Sequence, residues 1–283
     1  MTECLPLGRY EMKEYSNKSL DIVEEVNEAE SEDKKTVRNP LYLRRHLIAG
    51  RYQVARCEIG IMTPDDYDEA VKLHRRVAKG LSYEIYVPTG NTDVMRLLDG
   101  EGISVGVWFE GRLICMRGVV TGDEWMDEVL TDMGFGTDPE HKSAYTDHCI
   151  VDKEFRGNNI QFLTHYVIEN NITDRFETFY TTVSPKNIFS MQNIFGCNFV
   201  VVGIKEMYGG YLRYILRKNL LRCLPIWTHG HRVIPIIDTK RQIEAITEGC
   251  VGYKMIRRTG RFSILYALES DDPPKGYWKN IAK

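Results

Sequence analysis

Apolar and polar positions along the chain switch repeatedly between a period of two and a period near 3.6, and each switch marks an element. From Cys57, Glu58-Ile59-Gly60-Ile61-Met62 reads as a strand running into Thr63-Pro64-Asp65-Asp66. There Thr63 is placed to cap a helix with Pro64 at its first position. Tyr67, Ala70, Val71, Leu73 and Val77 recur at three- and four-residue steps, which predicts an amphipathic helix to about Lys79. A turn over Pro88–Asn91 precedes a short second helix carrying Val94, Leu97 and Leu98. Strands Ile103–Phe109 and Arg112–Val120 then flank Glu110-Gly111, a two-residue hairpin connection with glycine where positive φ is needed.

Thr121 to Lys142, with Gly122, Gly134, Gly136 and Pro139, reads as a variable stretch before a strand over Ser143–Val151. A helix follows with Ile160, Leu163, Thr164, Val167 and Ile168 on one face, then a buried strand over Phe176–Val183. After Ser184-Pro185-Lys186-Asn187, a further helix carries Ile188, Met191, Ile194 and Phe195 on one stripe. Strands Phe199–Met207 and Tyr211–Lys218 form a hairpin around Tyr208-Gly209-Gly210.

This order predicts an α+β domain over 55–219, a central mixed sheet flanked by helices. Residues 1–54 read as an N-terminal helical extension. Within it Asp21 to Lys35 is dense in Glu, Asp and Lys around Ile22, Val23 and Val26, the pattern of an exposed helix. Residues 220–283 read as a small α+β appendage: a strand over Val233–Ile237, a helix from Asp238 to about Glu248, and a hairpin across Thr259-Gly260.

Composition narrows the function classes. With 43% hydrophobic and 27% charged residues in a chain of 283, the protein is of the globular type. A formal net charge of -3 gives no overall basis for binding nucleic acid or an anionic membrane. Apolar runs such as Phe199-Val200-Val201-Val202 fall far short of the ~20 residues of a membrane span. The start, Met1-Thr2-Glu3-Cys4, lacks a basic-then-apolar signal peptide, so the cytoplasm is the expected compartment. Seven scattered cysteines with no C-x-x-C suggest reduced thiols. His229 and His231 stand close together, but no further ligand has a recognised spacing, so no metal is expected.

Candidate chemistry concentrates in Val151-Asp152-Lys153-Glu154-Phe155-Arg156-Gly157-Asn158-Asn159-Ile160-Gln161, where a strand ends and a helix begins. Free amides at a helix N-terminus, with the positive end of its dipole, make an anion site, and turn-prone residues let the backbone approach a pyrophosphate. In its surroundings this loop resembles the GNAT superfamily of acyl-CoA-dependent N-acetyltransferases. The family signature is Arg or Gln, two residues, Gly, one residue, then Gly or Ala, and Arg156 starts it. Thr182-Val183-Ser184-Pro185-Lys186-Asn187, then Ser190 and Gly196-Cys197-Asn198-Phe199, is similar to the second conserved block. Tyr208, Gly209, Gly210 and Arg213, with the Arg-Gly-Asn string, are similar to a bacterial branch of that family. The likeness covers roughly Cys57 to Lys218. Asn159 and Gln161 stand where the signature has small residues, Ile194 where many members carry a tyrosine acid, and Asn198 where a glycine precedes Phe199.

The resemblance implies transfer of an acetyl or other acyl group from acyl-CoA to a primary amine of a small molecule or peptide, by direct attack and without a metal. A carrier-protein donor and a homodimer stay open. It implies that the amides of Arg156, Gly157, Asn158, Asn159, Ile160 and Gln161 cradle the pyrophosphate, and that Cys149, Ile150, Val151 and Asn187 lie along the pantetheine arm. A base is needed for the amine. Asp147 and His148 are the candidates, and strand alternation would turn only one of them into the acceptor pocket. Tyr145 and Tyr208 are the candidate acids for the departing thiolate. Cys149 invites a covalent acyl-enzyme reading, ranked below direct transfer because no His and acid are assignable to activate it. The alternative is a non-catalytic GNAT-fold module that binds CoA or a protein.

Overall fold

The computed structural model describes residues 38–47, 50–221, 226–227 and 231–270. The chain divides into two compact units between Phe176 and Glu177. The acidic helix expected over Asp21–Lys35 lies outside the described residues.

The first unit carries five strands in sequential order: β1 (Asn39–His46), β2 (Tyr52–Ile61), β3 (Gly102–Phe109), β4 (Arg112–Val120) and β5 (Ser143–Val151). Every neighbouring pair among them is antiparallel. β1 falls inside the stretch 1–54. Leu41 and Leu43 are buried and Tyr42 and Arg44 exposed, the period-two pattern of a half-buried strand.

Between these strands run α1 (Tyr67–Ala78), α2 (Asn91–Leu98) and α3 (Asp123–Met133), and α4 (Ile160–Ile172) follows β5. A 3₁₀ turn over Pro64–Asp66 leads into α1, and the Asp66 carboxylate accepts from the Thr63 N–H at 3.0 Å. The stretch expected to be variable therefore contains α3. Its Trp125, Met126, Leu130 and Met133 are buried, and it ends at Gly134 in a left-handed conformation with φ 93°.

Helices cover both faces of this sheet, as two neighbours on β4 show. Arg117 reaches α4 through Thr164 and Gln161. Gly118 faces the other way, where a Cβ would stand 2.8 Å from Leu97 of α2 and 3.0 Å from His148. Only a residue without a side chain leaves room there for His148.

In the second unit the strands β6 (Thr178–Val183), β7 (Val200–Met207), β8 (Tyr211–Asn219), β9 (Ile226–Trp227), β10 (Arg232–Pro235), β11 (Cys250–Arg258) and β12 (Arg261–Ser270) are all paired antiparallel. Their order is β6-β8-β7-β11-β12-β10, with β9 on β12. α5 (Ile188–Gly196) and α6 (Thr239–Thr247) pack on it, and Gln242 of α6 is buried with its amide fully used. Its Oε1 accepts from the hydroxyls of Tyr214 and Tyr266, and its Nε2 donates to the carbonyls of Pro235 and Ile236. The α+β class and the hairpins at Glu110-Gly111, Tyr208-Gly209-Gly210 and Thr259-Gly260 are as the sequence pattern predicts. Among the described residues no helix is long and apolar enough to cross a membrane.

Candidate active site

The loop after β5 is built to present backbone amides. Phe155 is fully buried and anchors it, while Gly157 and Asn159 take left-handed conformations with φ 78° and 57°. Asn tolerates that region better than other residues with a β-carbon, which explains Asn159 at the N-cap of α4. Among the described residues, the N–H groups of Gly157, Asn158, Asn159 and Ile160 donate to nothing. Four adjacent free donors at the positive end of a 13-residue helix are an anion cradle in waiting. The Gln161 side chain turns to the Cys149 carbonyl at 3.4 Å, and Arg156 Nε donates to the Val151 carbonyl at 3.2 Å.

What sequence reasoning missed is how the loop is held. The Asn158 side chain imitates a strand neighbour to β1, accepting from the Arg44 N–H at 2.8 Å and donating to the Arg44 carbonyl at 2.8 Å. The same Nδ2 also donates to the Phe155 carbonyl at 2.8 Å. Arg44 Nη2 reaches the Gly157 carbonyl at 3.2 Å, and His46 Nε2 stands 3.0 Å from the Arg156 carbonyl. Arg45 pairs with Glu154 at 2.8 Å. Asp152 takes Arg76 at 3.1 Å and Arg112 at 2.9 Å. With the Arg156 and Gly157 carbonyls tied back to β1, the loop leaves its amides without acceptors among the described residues. Asn158→Ala removes the clip, and binding of a diphosphate at the loop is expected to weaken about tenfold. Unchanged diphosphate affinity in calorimetric titration would show that β1 does not position the loop.

Asp147 and His148 do not alternate as the sequence suggests. The β4–β5 register pairs Gly118 with His148 but Val119 with Thr146, so Asp147 is an extra residue in a bulge. The bulge puts both side chains together: Asp147 Oδ2 lies 2.7 Å from His148 Nδ1. The Thr89 hydroxyl donates to the same oxygen at 2.8 Å and stands 3.2 Å from His148 Nδ1. Burial alone would raise the Asp147 pKa, but hydrogen bonds from His148 and Thr89 and the nearby imidazoles hold it below the usual carboxylate range.

Behind this pair the His74 ring meets His148 edge-on at 4.5 Å, and its Nδ1 is 2.9 Å from the Tyr86 hydroxyl. Burial, then the neighbouring His148, drives the His74 pKa down to about 3. Burial also pushes Tyr86 up, so Tyr86 donates to a neutral His74. His148 is enclosed, with its side chain 3% exposed and Nε2 unpartnered among the described residues, whereas Asp147 is 24% exposed. No hydrogen bond reaches Asp147 Oδ1 among the described residues. Asp147 is thus the member of the pair that a substrate can reach.

Asn187 and Tyr208 belong to the second unit. Asn187 caps α5, its Oδ1 accepting from the Ser190 N–H at 3.2 Å. Tyr208 sits at φ 55° in the β7–β8 turn, its hydroxyl 3.1 Å from Thr182 Oγ1 and the Arg213 guanidinium 5.4 Å from its ring centre. Ile194 is buried packing, and Tyr145 is buried in the first unit. Of the two histidines considered for a metal, His229 lies outside the described residues, and His231 Nδ1 is 3.3 Å from the Tyr253 hydroxyl.

Comparison with known proteins gives a fold likeness only. No family model matches the chain, and no curated protein does. Solved structures similar to it include GNAT-family and other N-acetyltransferases. The GNAT domain of S. lividans PAT has a TM-score of 0.46 at 15% identity, covering 66% of this chain and 99% of that one. A GNAT-family acetyltransferase from Streptococcus pneumoniae has a TM-score of 0.46 at 13% identity, covering 58% and 98%. The ribosomal-protein-S18-alanine N-acetyltransferase of Escherichia coli has a TM-score of 0.44 at 10% identity, covering 58% and 94%.

Proposed function

We propose that the chain is an acyl-CoA-dependent N-acyltransferase of GNAT type, moving an acetyl or other acyl group to a primary amine. The observation that carries the proposal is the row of free amides from Gly157 to Ile160, held open by left-handed Gly157 and Asn159 at the start of α4. A diphosphate is the ligand such a row suits, because it takes several N–H donors at once and gains from the helix dipole. Its resemblance to the family's Arg-x-x-Gly-x-Gly/Ala loop makes CoA the diphosphate of choice. Asn187 and the end of β5 (Cys149, Ile150, Val151) are proposed to lie along the pantetheine arm.

In the reaction, the amine nitrogen bonds to the thioester carbonyl carbon, the C–S bond breaks, and CoA leaves as a thiolate that takes a proton. Asp147 is proposed to draw the acceptor as an ammonium ion and to take its proton directly or through water. His148 and Thr89 act as positioning residues: both engage Oδ2, which leaves Oδ1 for the amine. Tyr208 is proposed as the acid for the thiolate. In this reading residues 55–219 carry the transfer and 220–283 shape the acceptor side.

One observation favours a second reading, a CoA-binding module without turnover: at the family's tyrosine position stands Ile194, 6% exposed and without a hydroxyl. Incubation with acetyl-CoA and a panel of primary amines separates the two. Acyl transfer predicts amine-dependent release of CoA thiol, with the acetylated amine found by mass. A panel of polyamines, amino sugars, amino acids and peptide N-termini that gives no release above hydrolysis would favour the module.

A further inference from the structure

The first unit holds a second centre of chemistry, on the face of β4 and β5 that meets α4. Arg117 is 1% exposed, and among the described residues its guanidinium has no carboxylate partner. Nε donates to Thr164 Oγ1 at 3.2 Å and Nη2 to the Gln161 carbonyl at 2.8 Å, but Nη1 is buried with no partner among the described residues. A buried, uncompensated cation is costly, and a structure that keeps one calls for an anion beside it. Directly opposite Arg117 in the β4–β5 register stands Cys149. Its Sγ lies 3.8 Å from Thr164 Oγ1, the same hydroxyl that Arg117 engages. Cys149 is half-buried, whereas Cys57, Cys115, Cys197 and Cys250 are buried.

We propose that Cys149 is a reactive thiolate, held by Arg117 and Thr164, and a site of covalent modification by peroxides. In the modification step the Cys149 sulfur attacks one peroxide oxygen, and an S–O bond forms as the O–O bond breaks. The departing hydroxide, or alkoxide, takes a proton and leaves as water or alcohol. Cys149 ends as a sulfenic acid, oxidised by two electrons, and the peroxide is reduced by two. The thiolate does not require bound CoA, although Cys149 also lies on the β5 segment proposed for the pantetheine arm, so the test is run without CoA.

The groups acting on the sulfur agree with this assignment. A hydrogen bond from Cys115 outweighs burial, and with Arg117, Thr164 and His148 it lowers the Cys149 pKa to about 6. Cys115, fully enclosed, is pushed the other way by burial and by its neighbour, so the pair carries a single thiolate on Cys149. Cys57, by contrast, is raised to about 11 by burial.

The test is sulfenic-acid trapping on the full chain, with hydrogen peroxide and dimedone, followed by peptide mass mapping. At pH 6 about half of such a thiol is ionised, against about 0.3% of an ordinary one, and the lower nucleophilicity of an acidic thiolate returns roughly a tenfold part of that gain. Cys149 is therefore expected to label about tenfold faster than an ordinary exposed thiol at pH 6. Its rate should be half-maximal near pH 6 and lost in Cys149→Ser. Arg117→Met should slow labelling severalfold at pH 6 and leave the rate near pH 9 unchanged. The wild-type pH profile decides the matter even if Arg117→Met does not fold. A Cys149 that takes no label, or that labels only as pH rises through 8 to 9, would overturn the proposal.

Discussion

Gly157→Asp is expected to weaken CoA binding by about a hundredfold while the protein stays folded. The position has φ 78°, and the atom nearest an added Cβ is His46 Nε2 at 4.0 Å, so the side chain meets open space. What the substitution does cost is conformational. A residue with a β-carbon in the left-handed region loses about 1 to 2 kcal/mol, which falls on loop geometry more than on the core. To this the carboxylate adds repulsion of about 3 kcal/mol against a phosphate roughly 5 Å away at an effective dielectric near 20. Their sum, about 4 to 5 kcal/mol, exceeds the 2.7 kcal/mol or so of a hundredfold loss, and salt screening at an exposed loop removes the excess. Gly157→Ala separates the parts, because it carries the strain without the charge and should lose about tenfold. Calorimetric titration, with a melting curve for each variant, checks both. An Asp variant that folds and binds CoA as the wild type does would move the cradle elsewhere.

The other large effect belongs to Asp147. Asp147→Asn is expected to lower kcat by about 10²-fold or more, with CoA affinity unchanged, since general-base contributions run in that range. The amide still accepts from His148 and Thr89 but cannot attract an ammonium ion or take its proton. Raising the pH supplies free amine, so part of the loss should return in alkaline buffer. His148→Gln should cost less, about tenfold, because an enclosed imidazole acts through the carboxylate it holds. With the wild type, the depressed Asp147 pKa keeps the carboxylate ionised down through the ordinary carboxylate range, and loss of the base by protonation is expected only below that range. Full activity in Asp147→Asn would leave the proton to water or to the substrate.

How much of this was legible in the sequence depends on the range of the interactions involved. Local signals sufficed for the Glu110-Gly111 hairpin and the Thr63-Pro64 start, and the Arg-Gly-Asn-Asn string marked a turn into a helix because the glycine and asparagine needed for φ > 0 were visible. α3 was hidden by its flanking glycines, although Gly134 could have been read as a left-handed helix stop rather than as loop composition. The bulge at Asp147 had no mark in the sequence. An extra residue is defined by the partner strand, and only the shift between Gly118 and Val119 reveals it. Nor could the clip between Asn158 and Arg44 be foreseen, since 114 residues separate them and an asparagine that mimics a strand looks like one in a turn. Arg117 beside Cys149 is of the same kind: a cross-strand pair whose meaning comes from the absence of a carboxylate among the described residues around it, which a sequence does not show.

Binding of the CoA diphosphate by the loop from Gly157 to Ile160 is central to the proposed function. Calorimetric titration of the full chain with CoA, repeated with pantetheine alone, measures it most directly. The account predicts saturable one-to-one binding of CoA, and pantetheine, which lacks the phosphates, at least about a hundredfold weaker. No heat and no change in melting temperature at millimolar CoA, or equal affinity for the two ligands, would contradict it.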